Sequence, residues 1–231
     1  MSARSEPTDI PSAGDDPVPA SPRRGIAAAA ALLVLAALAA YSDSFSGPYV
    51  YDDTQSIPEN STLLHLWPPW EALSPPSGGA TVSGRPVLNY TFAVNYALGG
   101  TSVQGYHAAN LVIHLLAGLV LFGLVRRTLR QPGLRGRFGA AALPLAFLVA
   151  ALWTLHPLQT EAVSYLAQRA ESLMGLFYLL TMYGFIRGVQ SDRPWPFYLL
   201  SAAACALGMG TKEVMVSAPL MVLLFDRTFA A

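Results

Sequence analysis

Residues 106–125 read Tyr106-His107-Ala108-Ala109-Asn110-Leu111-Val112-Ile113-His114-Leu115-Leu116-Ala117-Gly118-Leu119-Val120-Leu121-Phe122-Gly123-Leu124-Val125, a run without Lys, Arg, Asp or Glu. Twenty uncharged, mostly apolar residues are what a helix needs to cross about 30 Å of hydrocarbon. Working outward, five further apolar segments emerge: Gly25–Tyr41, Phe138–Leu155, Leu173–Ile186, Pro196–Met209 and Val214–Phe225. The last three are short for a full crossing and are predicted to borrow residues from their flanks. Charged residues make up 12% of the chain and hydrophobic ones 53%, whereas soluble domains carry about 25% charge. The expected class is an all-α polytopic transmembrane bundle of six spans. Net charge is zero, which gives no footprint for nucleic acid. The single Cys205 excludes a disulfide framework within the chain.

Residues 1–24 are rich in Pro, Ser, Ala and Asp and are predicted to be a disordered cytoplasmic tail. Ala37-Leu38-Ala39 resembles a signal cleavage site and Ser21-Pro22-Arg23-Arg24 a twin-arginine signal. The seventeen-residue run Gly25–Tyr41 is long for a signal core, and the later segments need a first span, so a retained span is expected. Alternating the spans puts Arg4, Arg23, Arg24, Arg126, Arg127, Arg130, Arg135, Arg137, Arg187, Arg193 and Arg227 on one side, and only Arg85, Arg169 and Lys212 on the other. The positive-inside rule makes the arginine-rich side cytoplasmic. The long first loop, 42–105, then lies outside. Its middle, Trp67–Gly79, is turn-rich. Val87–Leu98 is predicted to be a short surface helix ended by Gly99-Gly100.

The outer side also holds Asp43, Asp52, Asp53, Glu59, Glu71, Glu161, Glu171 and Glu213. Val50-Tyr51-Asp52-Asp53 stands out: adjacent side chains diverge, so one carboxylate could serve as a catalytic base while the other orients it or binds a cation. The plain alternative is a solvated turn. His107, Asn110 and His114 share one helical face. His107 and His114 are two turns apart, about 10 Å, too far to ligate one metal. Interhelical bonding is the expected role of His114, and His107 is the functional candidate. Glu161, Tyr165 and Arg169 fall at spacings of four after His156-Pro157, so a continuous helix would align them, either as an ion pair or as a grip on phosphate or sugar. Thr211 is the predicted N-cap of the last segment, with Lys212 in its first turn, where a cation makes sense if an anion binds. Lys212 snorkelling to the interface is the alternative. Asn60-Ser61-Thr62 and Asn89-Tyr90-Thr91 match the glycosylation sequon. No zinc, P-loop or dinucleotide signature occurs.

Taken in order, Tyr51-Asp52-Asp53, Arg85-Pro86-Val87, Asn95-Tyr96, Gly105-Tyr106-His107-Ala108-Ala109-Asn110-Leu111, Ile113-His114, His156-Pro157, Thr160-Glu161-Ala162-Val163, Arg169-Ala170-Glu171 and Lys212-Glu213 resemble the transmembrane part of the TPR-containing O-mannosyltransferase-like membrane proteins, of the GT-C glycosyltransferase superfamily. The resemblance covers residues 25–231. It implies transfer of a sugar, mannose, from a polyprenyl- or dolichyl-phosphate carrier to protein Ser/Thr hydroxyls on the extracytoplasmic face. It assigns the base to Asp52 or Asp53, with Arg85, His107, Arg169 and Lys212 stabilising the lipid phosphate and Glu161 beside them at the substrate. The implied partners are membrane lipid, the lipid-linked sugar and an acceptor protein. Dependence on a divalent metal is left open. Family members normally have more spans and often a TPR array, so a fragment or N-terminal half is expected. The alternatives are a non-catalytic scaffold and a transporter. A transporter would place charges at mid-span, whereas here they cluster at the outer ends.

Overall fold

The computed structural model describes residues 22–230, so residues 1–21 of the expected tail, Arg4 included, lie outside the described residues. Residues 22–24 are not tail but open the first helix. The helices are α1 (Pro22–Ala40), α2 (Asp52–Ser56), α3 (Pro69–Ala72), α4 (Pro86–Gly99), α5 (Val103–Thr128), α6 (Pro132–Phe138), α7 (Ala142–Thr154), α8 (Gln159–Ser164), α9 (Arg169–Val189), α10 (Trp195–Met209) and α11 (Ala218–Phe225). Among the described residues there is no strand.

Three segments are long and apolar enough to cross a membrane: Arg23–Ala40, Val103–Thr128 and Leu166–Val189. The pair α6 and α7 passes together but bends by 94° between them. Phe138, expected at the start of a span, instead closes α6. Trp195–Met209 is apolar but shorter, and α11 has only eight residues. Leu32, Leu35, Leu152, Leu199, Leu220 and Leu224 are all exposed. Such a jacket of exposed leucine is tolerated where the surrounding solvent is lipid.

α5 is the centre of the bundle. It packs on α7 and on α9, while α1 leans on α7 and α10 on α9. Leu33, Phe122, Ala146 and Ala150 form the core between α1, α5 and α7. α9 and α10 meet through small residues. A Cβ on Gly184 would stand 2.9 Å from the Phe197 carbonyl oxygen and the Ser201 nitrogen, and one on Gly188 would strike the Tyr198 ring. The spacing Gly184–Gly188 is the small-x-x-x-small pattern that lets helix backbones approach. Ser201 Oγ donates to the Thr181 carbonyl across the same contact, at 2.7 Å. Gly184→Leu should therefore push the helices apart and destabilise the protein by about 1–3 kcal/mol, read as a lower unfolding midpoint in detergent. An unchanged midpoint would refute this packing.

The long first loop, 42–105, is folded rather than loose. Ile57, Leu63, Ala72, Ala80 and Val82 make a small core with Leu88, Phe92 and Ala93 of α4, Tyr106 of α5, Leu166 just before α9 and Ala170 in its first turn. α4 follows the predicted surface helix closely, with Pro86 in its first turn and Gly100 at φ 58° just after it. Both sequon asparagines are buried. Asn60 Nδ2 donates to the Ser56 carbonyl and to Asn89 Oδ1, and Asn89 Nδ2 donates to Thr62 Oγ1 and to the Ala72 carbonyl. They are struts of the loop.

Candidate functional site

The polar stripe of α5 holds the outer segments by their backbones. A carbonyl can only accept, so each histidine Nε2 carries the hydrogen. His114 Nε2 donates to the Thr154 carbonyl at 2.9 Å, which also accepts from the Tyr41 hydroxyl. His114 is thus the interhelical bond expected of it. His107 is buried, and its Nε2 donates to the Gly47 carbonyl at 3.0 Å. Asn110 Nδ2 reaches the Val163 and Leu166 carbonyls, while its Oδ1 accepts from Arg169 Nε at 2.6 Å.

Glu161, Tyr165 and Arg169 do not form one stripe. α8 ends at Tyr165, whose backbone is extended (φ −86°, ψ 113°), and Arg169 opens α9. The reason is long-range. Asp53 takes the Ala167 amide and Asn110 takes the Val163 and Leu166 carbonyls, groups that a continuous helix would have used itself. Nor does Arg169 pair with Glu161. It is fully buried, donates through Nη1 to the Thr91 carbonyl and through Nη2 to that of Tyr106, and stands 4.4 Å from the centre of the Phe92 ring.

Asp52 and Asp53 separate as adjacent side chains must. Asp53 is buried, accepting from the Val50 amide at 3.0 Å through Oδ2 and from the Ala167 amide at 2.6 Å through Oδ1. Burial raises its carboxyl above the ordinary value of 3.8, against the opposing pull of the amides of Val50, Ala167 and Leu166 and of the His107 charge. The folded pKa exceeds the unfolded one. The stability linked to this group is therefore fully present below the unfolded pKa and is lost as pH rises through the folded pKa. Raising pH from 3.8 should loosen the loop, read as faster exchange of the Ala167 amide after correction for base catalysis. Asp53→Asn should remove the trend, and a trend that survives it would refute the assignment.

Asp52 is exposed. Its Oδ2 accepts from Thr81 Oγ1 at 2.9 Å, and its amide donates to the Tyr165 hydroxyl at 3.2 Å. Tyr165 lies among Asp52, Asp53 and Glu161, and burial first, then these acids, raise its phenol. Just before the pair, Tyr51 holds φ 44°, ψ −118°, a strained backbone for an aromatic residue and one that tends to occur at functional sites. From Asp52 a chain of contacts runs across the face. The Thr81 carbonyl accepts from Arg85 Nη1 at 2.8 Å, Arg85 Nη2 lies 3.4 Å from Glu213, and the neighbouring Lys212 Nζ binds Glu171. Glu161 and Glu171 line a shallow groove with Gln168.

The structure thus gathers Asp52, Arg85, Glu161 and Lys212 at one face of the bundle, with Asp53, His107 and Arg169 in the layer beneath. Lys212 is not in the first turn of the last helix. It is extended (φ −161°) before a 3-10 turn, Glu213–Ser217, and α11 starts only at Ala218. Pro219 fits that later first turn. Thr211 is no N-cap: its hydroxyl donates back to the Gly208 carbonyl at 2.6 Å. Sequence reasoning passed over Thr81 and the hydroxyl of Tyr165. Neither has a motif signal, because each matters only through a partner far along the chain.

Comparison with known proteins bears on this face. The chain is 32% identical to the protein O-mannosyl-transferase F38B6.6 of Caenorhabditis elegans over 158 residues, which is 65% of this chain and 22% of that protein. It is 31% identical to human protein O-mannosyl-transferase TMTC1 over 223 residues, 88% of this chain and 24% of the human one. The Drosophila melanogaster protein O-mannosyl-transferase Tmtc1 matches at 30% over 209 residues, 87% and 22%. The chain is homologous to the protein O-mannosyl-transferases. It spans about a quarter of the length of these O-mannosyl-transferase relatives. No protein-family model matches it, and no solved structure does.

Proposed function

We propose that this chain forms the catalytic face of a GT-C-type O-mannosyl-transferase. Mannose passes from a polyprenyl-phosphate carrier to a Ser or Thr hydroxyl of a protein acceptor on the extracytoplasmic side. The activity for which the relatives are named supports the transfer. The observation that carries the site is the division between the two acids: Asp52 is open to a substrate and Asp53 is consumed by two backbone amides.

In this reading Asp52 takes the proton of the acceptor hydroxyl. The hydroxyl oxygen bonds to the anomeric carbon as the bond from that carbon to the carrier phosphate oxygen breaks, and the phosphate leaves with the electron pair. Arg85 and Lys212 face the developing phosphate charge. Each is paired with a carboxylate now, but Glu213 is exposed and its 3.4 Å contact with Arg85 is long. Such a surface pair is worth about 0–1 kcal/mol, so the carrier phosphate, whose negative charge grows as the anomeric bond breaks, displaces it readily. Asp53, His107 and Arg169 act from beneath as positioning residues.

The test is transfer of labelled mannose from a synthetic polyprenyl-phosphate mannose to a Ser/Thr peptide, in sealed vesicles of known orientation, with donor and peptide confined to one side. Product formed only from the face bearing Asp52 supports the proposal. Donor hydrolysis without peptide labelling would refute the protein acceptor, and transfer only from the face bearing Arg130 would refute the sidedness.

A further inference from the structure

At the other end of the bundle lies a second polar site that the transferase reading does not use. The last turn of α5 brings Arg126 and Arg127, and the turn after it brings Arg130 and Gln131. With Val189 and Gln190 at the end of α9, these residues line a cavity of about 630 Å³. Ligand sites commonly occupy about 300–1,000 Å³. Among the described residues no carboxylate lines it; neither Asp192 nor Asp226 contributes. Among the described residues both salt bridges lie at the outer face, so none neutralises these arginines.

Two buried donors in this wall are unspent. Gln131 is 4% exposed and its Nε2 has no hydrogen-bond partner among the described residues. Arg127 Nε has none either, although Arg127 Nη1 donates to Gln190 Oε1 at 2.9 Å. A buried donor left unpaired is costly, and three guanidiniums converging without a counter-charge repel one another. A water could satisfy the amide but would leave the charge. An oxyanion with several acceptor oxygens satisfies both, and the arginine fork matches phosphate geometry.

Position chooses among phosphates. His107 and Arg127 are twenty residues apart on one helix, about 30 Å along the axis, which is the thickness of a bilayer core. The cavity therefore sits at the headgroup level of the face opposite Asp52. Val189 and Phe229 give it an apolar wall suited to a glycerol backbone and the first methylenes. We propose that this pocket binds the phosphate of an anionic phospholipid headgroup at that face. The inference needs the membrane setting but not the transferase reading.

Native mass spectrometry and thermal unfolding of the full chain, released from detergent, provide the test. The probes are phosphatidic acid, phosphatidylcholine and glycerol 3-phosphate. Phosphatidic acid should be retained and should raise the unfolding midpoint, while phosphatidylcholine, whose choline offsets its phosphate, should do neither. Arg126→Ala and Arg130→Ala should each weaken phosphatidic acid by about tenfold or more, the loss of one charge-assisted contact. Arg193→Ala, outside the cavity, should leave it unchanged. Without lipid, Arg130→Gln should melt no lower than the parent, because it relieves repulsion, and it should gain little from phosphatidic acid. Equal binding of glycerol 3-phosphate would overturn the lipid assignment in favour of a soluble phosphate. Phosphatidic acid held undiminished by the cavity variants, or not held by the parent, would overturn the site.

Discussion

Changing Asp52 to Asn should cut mannosyl transfer by about 10²–10⁴-fold, the usual contribution of a well-placed general base, and leave binding of the lipid-linked donor nearly unchanged. The amide keeps the oxygen that accepts from Thr81 Oγ1, so the local fold survives and only the proton acceptor is lost. Asp53→Asn should behave differently. One of the two amides now bound, Val50 or Ala167, would face an NH₂ group, and both loop stability and turnover should fall together. Donor binding, turnover and unfolding midpoint of the two variants separate these cases. Near-normal transfer by Asp52→Asn with loss confined to Asp53→Asn would move the base to Asp53. Near-normal transfer by both would leave the face as a scaffold.

The second large effect is expected at Arg169. Its guanidinium holds Asn110 Oδ1 and the carbonyls of Tyr106 and Thr91, and it lies over Phe92. It therefore ties α4 and α5 to the start of α9. Arg169→Leu removes a buried charge, which by itself is a gain, but it leaves Asn110 Oδ1 without its donor and takes a second donor from the Thr91 and Tyr106 carbonyls, which stay bonded within α4 and α5. Each buried acceptor left without a donor costs about 1–3 kcal/mol, and a desolvated cation over an aromatic ring contributes about 2 kcal/mol. A loss of about 3–5 kcal/mol, before the gain from removing the charge, is expected. Arg169→Lys should rescue little, because a point charge cannot reach three acceptors in a plane. Unfolding midpoints within error of the parent for both variants would show that the outer cap does not depend on this side chain.

Much of the fold was legible in local pattern. Gly25–Tyr41 and Val87–Leu98 lie within a few residues of α1 and α4, because apolar composition, Pro86 and Gly100 act locally. The break at Tyr165 was not legible. The spacing of Glu161, Tyr165 and Arg169 favours a helix, and it is interrupted by partners far along the chain, Asp53 on the Ala167 amide and Asn110 on the Val163 and Leu166 carbonyls. The late start of α11 did have a local cue in Pro219, outweighed by the pull of an N-cap reading at Thr211. In the site, the residue types gathered at one face of the bundle were readable from charge and span alternation. Which acid is open and which buried was not, since burial depends on how the loop folds over α4 and α9.

The interlocked asparagines of the first loop carry a consequence for any host that decorates sequons. An oligosaccharyltransferase needs the amide nitrogen of Asn60 or Asn89, and in the finished loop both nitrogens are engaged on the inside. Modification can then occur only during the interval before the loop closes, and a sugar once attached bars closure. The mass of the secretory-pathway product thus becomes a clock. The glycosylated fraction measures how slowly the cap assembles, and variants that hinder its assembly, such as Arg169→Leu, should gain glycan in proportion.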